Sequence, residues 1–205
     1  MSIEIRIEEE RDYRNVENLV RESFWNVYMP GCREHYVVHC FRNDPAYIKE
    51  LGLVMEEDGV LIGQAMYCRS EIKLDNGETL PAITLGPICI ANDKKRQGYG
   101  KILLDATIEK AKSLGFGAII NEGNIDFYGQ SGFVQAKPKG ILYADDPGAD
   151  YLLVLELKKG YLDGVHGTWA DPEGYFCCEK DPEGFEAYEA SFPYKEKKKL
   201  PGQLF

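Results

Sequence analysis

The segment from Leu85 to Leu104 constrains the fold of this chain more than any other. It begins with an apolar run typical of a buried strand, continues through a basic loop with two glycines one residue apart, and becomes helical in pattern after Gly100. This order brings successive backbone N–H groups and the positive end of a helix to one spot. Gly98 and Gly100 leave room for an anion against the main chain. The segment therefore predicts a phosphate-binding loop.

The loop resembles motif A of the GNAT family, the acyl-CoA-dependent N-acetyltransferases. The family pattern is Arg/Gln-x-x-Gly-x-Gly/Ala, and this chain has Lys95-Arg96-Gln97-Gly98-Tyr99-Gly100. Lysine at the first position keeps a cationic donor but lacks the planar group of arginine or the amide of glutamine. The resemblance implies that acetyl-CoA is the cosubstrate and that its pyrophosphate lies on the loop. The implied binding residues are Lys95, Arg96, Gln97, Gly98, Tyr99, Gly100 and Lys101.

A second feature is Gly86-Pro87, which lies inside the predicted strand. Proline cannot donate to a ladder, so its presence indicates an edge strand or a bulge. In GNAT enzymes the fourth and fifth strands splay apart, and the pantetheine arm pairs with the exposed backbone of the fourth. The resemblance assigns this role to Ile88, Cys89 and Ile90, where a backbone N–H would also stabilise the thioester oxyanion. A plain β-bulge is the alternative interpretation.

A third match is Asn121-x-x-Asn124-x-x-Phe127-Tyr128-Gly-Gln-Ser-Gly-Phe133, which resembles motif B of the family. The resemblance places Asn121, Asn124 and Tyr128 at the cofactor and Tyr128 beside its sulfur. There the phenol can protonate the departing thiolate as a general acid. Asn124 stands where alanine is common in the family, and the alternative is that it caps a short helix.

The acceptor site of the family lies along the first two helices, and the segment from Trp25 to Cys40 is rich in polar and aromatic residues. His35 is the first candidate for the general base and Glu34 the second. His35 and His39 share a helical face. The predicted substrate-binding residues are Trp25, Tyr28, His35 and His39. Alternatively, these side chains only cap and pack the second helix. We predict no metal site, because zinc-type cysteine spacing is absent.

The order of predicted elements over residues 2–158 is βααβββαβαβ. This order is similar to the GNAT acyl-CoA N-acyltransferase fold, an α/β class with a mixed, mostly antiparallel central sheet flanked by helices and with splayed strands 4 and 5. We therefore predict a GNAT acetyltransferase domain over residues 1–158 and a C-terminal extension, residues 159–205, that packs on it. Within the extension, Asp181 is predicted to cap a helix whose apolar face carries Phe185, Tyr188 and Phe192.

Composition and charge argue against several classes of partner and location. The formal net charge is −10, which argues against nucleic acid as a partner, because phosphate backbones require a basic face. No apolar run approaches the roughly 18 residues of a membrane span, and the acidic, alternating N-terminus is unlike a signal peptide. The six cysteines form no disulfide framework, which favours the cytoplasm.

The resemblance and these exclusions predict an N-acetyltransferase that moves an acetyl group from acetyl-CoA to a primary amine by direct attack in a ternary complex. The acceptor is expected to be a small molecule, because the aromatic residues of the extension can form a wall over the acceptor side. Two alternatives stay open: a non-catalytic acyl-CoA sensor, and an enzyme that acetylates proteins or peptides. A homodimer is possible, since family members associate in several ways.

Overall fold

The computed structural model describes residues 2–204. Met1, the first residue of the predicted domain, and Phe205, the last residue of the predicted extension, lie outside the described residues. A nine-stranded mixed sheet forms the centre of this part of the chain, with the order β1-β2-β3-β4-β5-β8-β6; β9 pairs with β3 and β7. The strands are β1 (Ile3–Ile7), β2 (Leu53–Glu57), β3 (Val60–Leu74), β4 (Thr79–Ile90), β5 (Ala118–Glu122), β6 (Val134–Gln135), β7 (Ile141–Tyr143), β8 (Leu152–Glu156) and β9 (Gly167–Trp169).

Among the strand pairs within residues 2–204, only β4–β5 and β7–β9 are parallel, so the predicted mixed, mostly antiparallel sheet is confirmed. The helices also follow the predicted order. They are α1 (Tyr13–Phe24), α2 (Glu34–Phe41), α3 (Tyr99–Ser113), α4 (Ile125–Tyr128), α5 (Cys177–Lys180) and α6 (Pro182–Glu189). No helix within residues 2–204 is long and apolar enough to cross a membrane.

Helices cover both faces of the sheet because consecutive residues of a strand point to opposite sides. On β3, Ala65 and Tyr67 pack in the cluster that contains Leu103 and Leu104 of α3. Met66 and Cys68 instead pack in the cluster that contains residues of α1 and α2. Burying one such leucine contributes about 1.5–3 kcal/mol. The alternation of side chains along β3 thus places α3 on one face of the sheet and α1 and α2 on the other.

Two elements of the C-terminal extension join it to the rest of the structure. Its strand β9, which the sequence analysis did not predict, pairs with the end of β3 through Ile72↔Trp169. Its helix α6 begins as predicted, with the Asp181 carboxylate accepting from the Gly184 N–H at 2.9 Å. The Phe192 side chain, which follows α6, is buried. Residues 159–204 therefore complete the sheet edge and cover the outer side of α1 and α2.

Candidate active site

Strand β4 has an open edge in the middle of the sheet. It pairs with β5 only through Ile83↔Ile119 and Thr84↔Ile120, after which the two strands separate. The Ala91 N–H donates to Ile62 O of β3. Since backbone groups alternate along a strand, the N–H groups of Ile88 and Ile90 point away from β3, into the opening. The splay and the free backbone that the sequence predicted for strand 4 are therefore present.

A bulge marks the point where the strands separate. The register of β3 and β4 shifts between Ala65 and Tyr67, opposite Gly86 and Pro87. Two side chains hold the bulge: buried Gln64 donates to Pro87 O at 3.0 Å, and the Tyr175 hydroxyl donates to Gly86 O at 2.7 Å. Tyr175 belongs to the extension, so residues far apart in the sequence fix the backbone at the opening.

The glycine loop has the geometry of an anion site. Arg96 has a φ of 60° and Gly98 a φ of 90°, both in the left-handed region. Gly98 precedes α3, and no side chain caps this end of the 15-residue helix. The first helical hydrogen bonds run from Lys101 and Ile102 to Gly98 O. The N–H groups before Lys101 are thus left to bind a negatively charged group at the positive end of the helix.

The side chains of the loop bind the protein itself. Lys95 Nζ donates to Ser23 O at 3.1 Å, Gln97 Nε2 to Asp93 O at 2.9 Å, and the Tyr99 hydroxyl to Glu57 at 2.6 Å. Lys101 pairs with Asp105. These contacts anchor the loop to α1, to its own first turn and to β2. The predicted phosphate-binding set is therefore brought together. Its available donors are the backbone N–H groups and the exposed guanidinium of Arg96, which makes no hydrogen bond or ion pair to residues 2–204.

Tyr128 stands at the end of α4, where it packs against Phe127 and Phe133 in edge-to-face geometry. Burial raises the pKa of its phenol, so the group is protonated near neutral pH. Asn121 is buried, and its Oδ1 has no hydrogen-bond partner among residues 2–204. Asn124 is exposed and caps α4 by accepting from the Asp126 N–H at 2.8 Å, the alternative that the sequence left open.

Gly123 lets the Tyr128 ring lie against the backbone, since an added Cβ would collide with that ring. We therefore expect Gly123→Ala to displace the phenol and to lower kcat by about tenfold, a fraction of what general acids contribute. Gly129→Ala is the matched control, because its Cβ would meet Ile125 at an ordinary 3.5 Å. Equal kcat values for the two variants in a steady-state assay would contradict this role of Gly123.

A cavity of about 230 Å³ lies where β4 and β5 separate. The sheet forms its floor through Thr84 to Ile88 of β4 and Glu122 of β5. Its walls come from Phe24 and Tyr28 of α1 and the following loop, Glu34 and Val37 of α2, Tyr128, and Trp169, Asp171 and Tyr175 of the extension. The predicted residues Tyr28, Glu34, Ile88 and Tyr128 thus converge on one cavity.

Glu122 is the principal residue that the sequence analysis missed. Removal from bulk water in the cavity, together with the nearby Asp171 carboxylate, raises the pKa of Glu122 to about 7. Asp171 accepts a hydrogen bond from the Tyr143 hydroxyl, and burial raises its own pKa. A carboxyl with a pKa near 7 is suited to general-base chemistry at neutral pH. The feature of the sequence that could have predicted this role is the position of Glu122 at the carboxyl end of β5, beside the separation of β4 and β5.

His35 lies outside the cavity lining and is fully buried. Its Nε2 is 2.8 Å from Glu189 Oε2, and its Nδ1 is 3.4 Å from Cys32 Sγ. Burial lowers the pKa of His35 to about 4, although the charge of Glu189 and its hydrogen bond oppose the shift; the Arg21 charge adds to the lowering. The structure therefore places His35 in the contact between α2 and α6, which corresponds to the packing alternative, and does not bring it to the cavity.

Two other predicted acceptor residues also lie outside the cavity lining. His39 is exposed, pairs with Glu17 and stacks on Tyr36. The Trp25 indole donates to Glu196 O at 3.0 Å and packs against Arg21, so it holds the C-terminal segment. Of the four residues predicted for the acceptor, Tyr28 alone lines the cavity.

Cys89 pairs with Gln64 of β3, and its thiol is buried. Burial raises the pKa of this thiol to about 11, which leaves little thiolate at neutral pH. This environment agrees with the expectation of direct attack by the amine, without a covalent intermediate on cysteine.

Comparison with known proteins adds a decisive finding: residues 15–133 match the sequence model of the acetyltransferase (GNAT) family. The chain belongs to the GNAT family. The match covers more than half of the 205 residues and includes the glycine loop, the open strand and Tyr128. The protein is accordingly an acyltransferase of the acetyltransferase class. No curated protein matches the chain.

Solved structures share the GNAT fold. A GNAT family N-acetyltransferase (YhbS) from Escherichia coli in complex with CoA is 23% identical, with a TM-score of 0.73 over 84% of this chain and 91% of that chain. A GNAT family acetyltransferase from Brucella melitensis in complex with acetyl-CoA is 21% identical, with a TM-score of 0.67 over 85% and 98% of the two chains. At these identities the likeness establishes the fold of this GNAT protein and no more.

Proposed function

We propose that this GNAT protein transfers an acetyl group from acetyl-CoA to a primary amine of a small molecule, by direct attack within a ternary complex. The observation that carries the proposal is the convergence of the open β4 edge, Tyr128 and Glu122 on one cavity. The Escherichia coli and Brucella melitensis structures, which hold CoA and acetyl-CoA, support the choice of cosubstrate.

The cosubstrate binds mainly to backbone. Its pyrophosphate accepts from the N–H groups of residues 95–101, where the left-handed turn at Gly98 leads into α3. Its pantetheine arm lies along Ile88, Cys89 and Ile90, where β5 has left the strand edge free. The unpartnered Oδ1 of Asn121 is a further acceptor beside this path.

Three groups at the cavity carry the chemistry. Glu122 takes one proton from the bound ammonium, and the neutral nitrogen then bonds to the thioester carbon. As the carbon–sulfur bond breaks, the nitrogen releases its second proton to solvent. The Ile88 N–H stabilises the negative charge that develops on the carbonyl oxygen. Tyr128 gives its proton to the departing thiolate. Glu122 therefore replaces His35 as the proposed base, because His35 does not line the cavity.

The size and the walls of the cavity favour a small acceptor. Pockets that bind drug-sized ligands have volumes of about 300–1,000 Å³, whereas this cavity has about 230 Å³. Trp169, Asp171 and Tyr175 of the extension close one side of it. An extended peptide would need an open groove at this place.

The test is release of free thiol from acetyl-CoA by the purified protein, measured with alkylamines, amino acids, polyamines, aminoglycosides and short peptides. We expect stimulation by small amines and an N-acetylated product by mass spectrometry. Tight acetyl-CoA binding with a flat panel would support the sensor alternative, and stimulation by peptides alone would support the protein-modifying alternative. Either result would contradict the proposal.

A further inference from the structure

The electrostatic character of the cavity restricts the acceptor more than its size does. Three carboxylates line it, Glu34, Glu122 and Asp171, and no lysine, arginine or histidine within residues 2–204 does. None of the three forms a salt bridge in this part of the chain. Burial raises the pKa of all three carboxyl groups. A cation in the cavity therefore favours their ionised forms, and these repel a ligand that carries its own carboxylate.

The three carboxylates come from different parts of the chain. Glu122 and Asp171 both line the cavity, and the Asp171 charge adds to the effect of burial in raising the pKa of Glu122. Glu34 stands at the start of α2, where burial and the Glu34 charge together raise the pKa of Tyr28. Its Oε2 accepts from the Arg33 N–H at 2.9 Å, and its Oε1 makes no hydrogen bond to residues 2–204. One oxygen of Glu34 thus stabilises the helix end and the other is available to a ligand.

Buried polar atoms in the lining point independently to a ligand. Thr84 is 3% exposed on the floor of the cavity, and its Oγ1 has no hydrogen-bond partner among residues 2–204. Trp169 is 1% exposed, and its Nε1 is also unpartnered within this part of the chain. Leaving such buried groups unsatisfied is unfavourable, and a bound polar molecule or water would offset the cost. Thr84 Oγ1 can accept a hydrogen bond from an amine or ammonium.

The aromatic walls complete the preference for a cation. Phe24 and Tyr28 line the side on which Glu34 stands, and aromatic faces stabilise an ammonium by cation–π contact. The reacting nitrogen must be neutral when it attacks the thioester. A ligand that keeps a positive charge for Glu34 and Tyr28 therefore needs a second nitrogen.

We propose that the acceptor is a small linear diamine or short polyamine, whose reacting nitrogen meets Glu122 and whose second ammonium is held by Glu34 and the neighbouring aromatic rings. This inference rests on the proposed function and adds the substrate class. Glu34 is then a positioning residue for the acceptor, a different role from that of base. An amino acid is disfavoured, because no basic side chain in the lining would pair with its carboxylate.

The test compares four amines that each have four carbons and differ in the group at the far end: diaminobutane, aminobutanol, butylamine and aminobutyrate. We expect kcat/KM with acetyl-CoA to be highest for diaminobutane, about tenfold or more above butylamine, and lowest for aminobutyrate. Equal values for diaminobutane and butylamine, or a preference for aminobutyrate, would overturn the inference. Turnover of butylamine in such a result would still uphold the acetyltransferase activity, so the two failures are distinguishable.

Two variants test whether Glu34 causes the preference for diaminobutane over butylamine. Glu34→Gln is expected to reduce the ratio of kcat/KM for diaminobutane over butylamine about tenfold, mainly through KM for the diamine. Glu71→Gln removes the same charge from an exposed position on β3 outside the cavity lining, and should keep the wild-type ratio. A ratio that Glu34→Gln leaves unchanged would contradict the assignment of the second ammonium to Glu34.

Discussion

Replacing Tyr128 with phenylalanine is expected to lower kcat about 100-fold, within the range that general acids contribute. The variant keeps the ring that packs on Phe127 and Phe133 and loses only the hydroxyl. Without that proton the departing thiolate must take one from water. Because the hydroxyl acts as the carbon–sulfur bond breaks, the affinity for acetyl-CoA should change little.

Steady-state kinetics with the best amine of the panel, together with calorimetric titration of acetyl-CoA, measures both quantities. Tyr161→Phe is the matched control, because its hydroxyl donates to Pro81 O outside the cavity lining. This control should retain the kcat of the wild type. Unchanged turnover in Tyr128→Phe would exclude the hydroxyl as the acid.

Replacing Glu122 with glutamine is expected to lower kcat/KM at pH 8 about 100-fold, because the amide cannot accept a proton from the amine. Glu122 stays exposed to solvent on one side, but partial removal from water and the Asp171 charge raise its pKa to about 7. In the wild-type protein kcat/KM should therefore rise with pH as Glu122 loses its proton, with a midpoint near pH 7. The rise in kcat/KM with a midpoint near pH 7 should be absent from the Glu122→Gln variant.

A second variant tests the cause of the raised pKa. Asp171→Asn removes the negative charge beside Glu122, which lowers the pKa of Glu122 and shifts the midpoint to lower pH. The measurement is a series of kcat/KM values from pH 5 to 9 at constant ionic strength. A midpoint near pH 7 that persists in Glu122→Gln would assign the titration to another group.

The sequence was sufficient for the parts of the site that are built locally. The glycine loop, the start of α3 and the short helix before Tyr128 each depend on neighbours within a few residues. Gly98 takes a positive φ and Asp181 caps its helix for reasons visible in the chain itself. The Gly86-Pro87 pair predicted an open strand, with a bulge as the alternative, although not that Gln64 and Tyr175 hold the backbone there.

The acceptor side was harder to predict, because tertiary packing decides it. His35 and His39 do share a helical face, but that face contacts Tyr188 of α6 instead of the cavity. In the sequence Glu122 is an ordinary acidic residue at a strand end, and its pKa is raised by Asp171, 49 positions further along the chain. A three-residue strand such as β9 is too short to show an alternation of apolar and polar residues. The sequence therefore could not predict that the chain after β9 brings Asp171 to the cavity.

The most direct test of acetyl transfer at this cavity is a crystal structure of the protein with acetyl-CoA. We predict the pyrophosphate against the backbone of Gly98 and Gly100, and the thioester oxygen within hydrogen-bond distance of the Ile88 N–H. The sulfur should lie beside the Tyr128 hydroxyl, with the acetyl group facing Glu122. A thioester bound away from the opening between β4 and β5 would contradict the proposed mechanism.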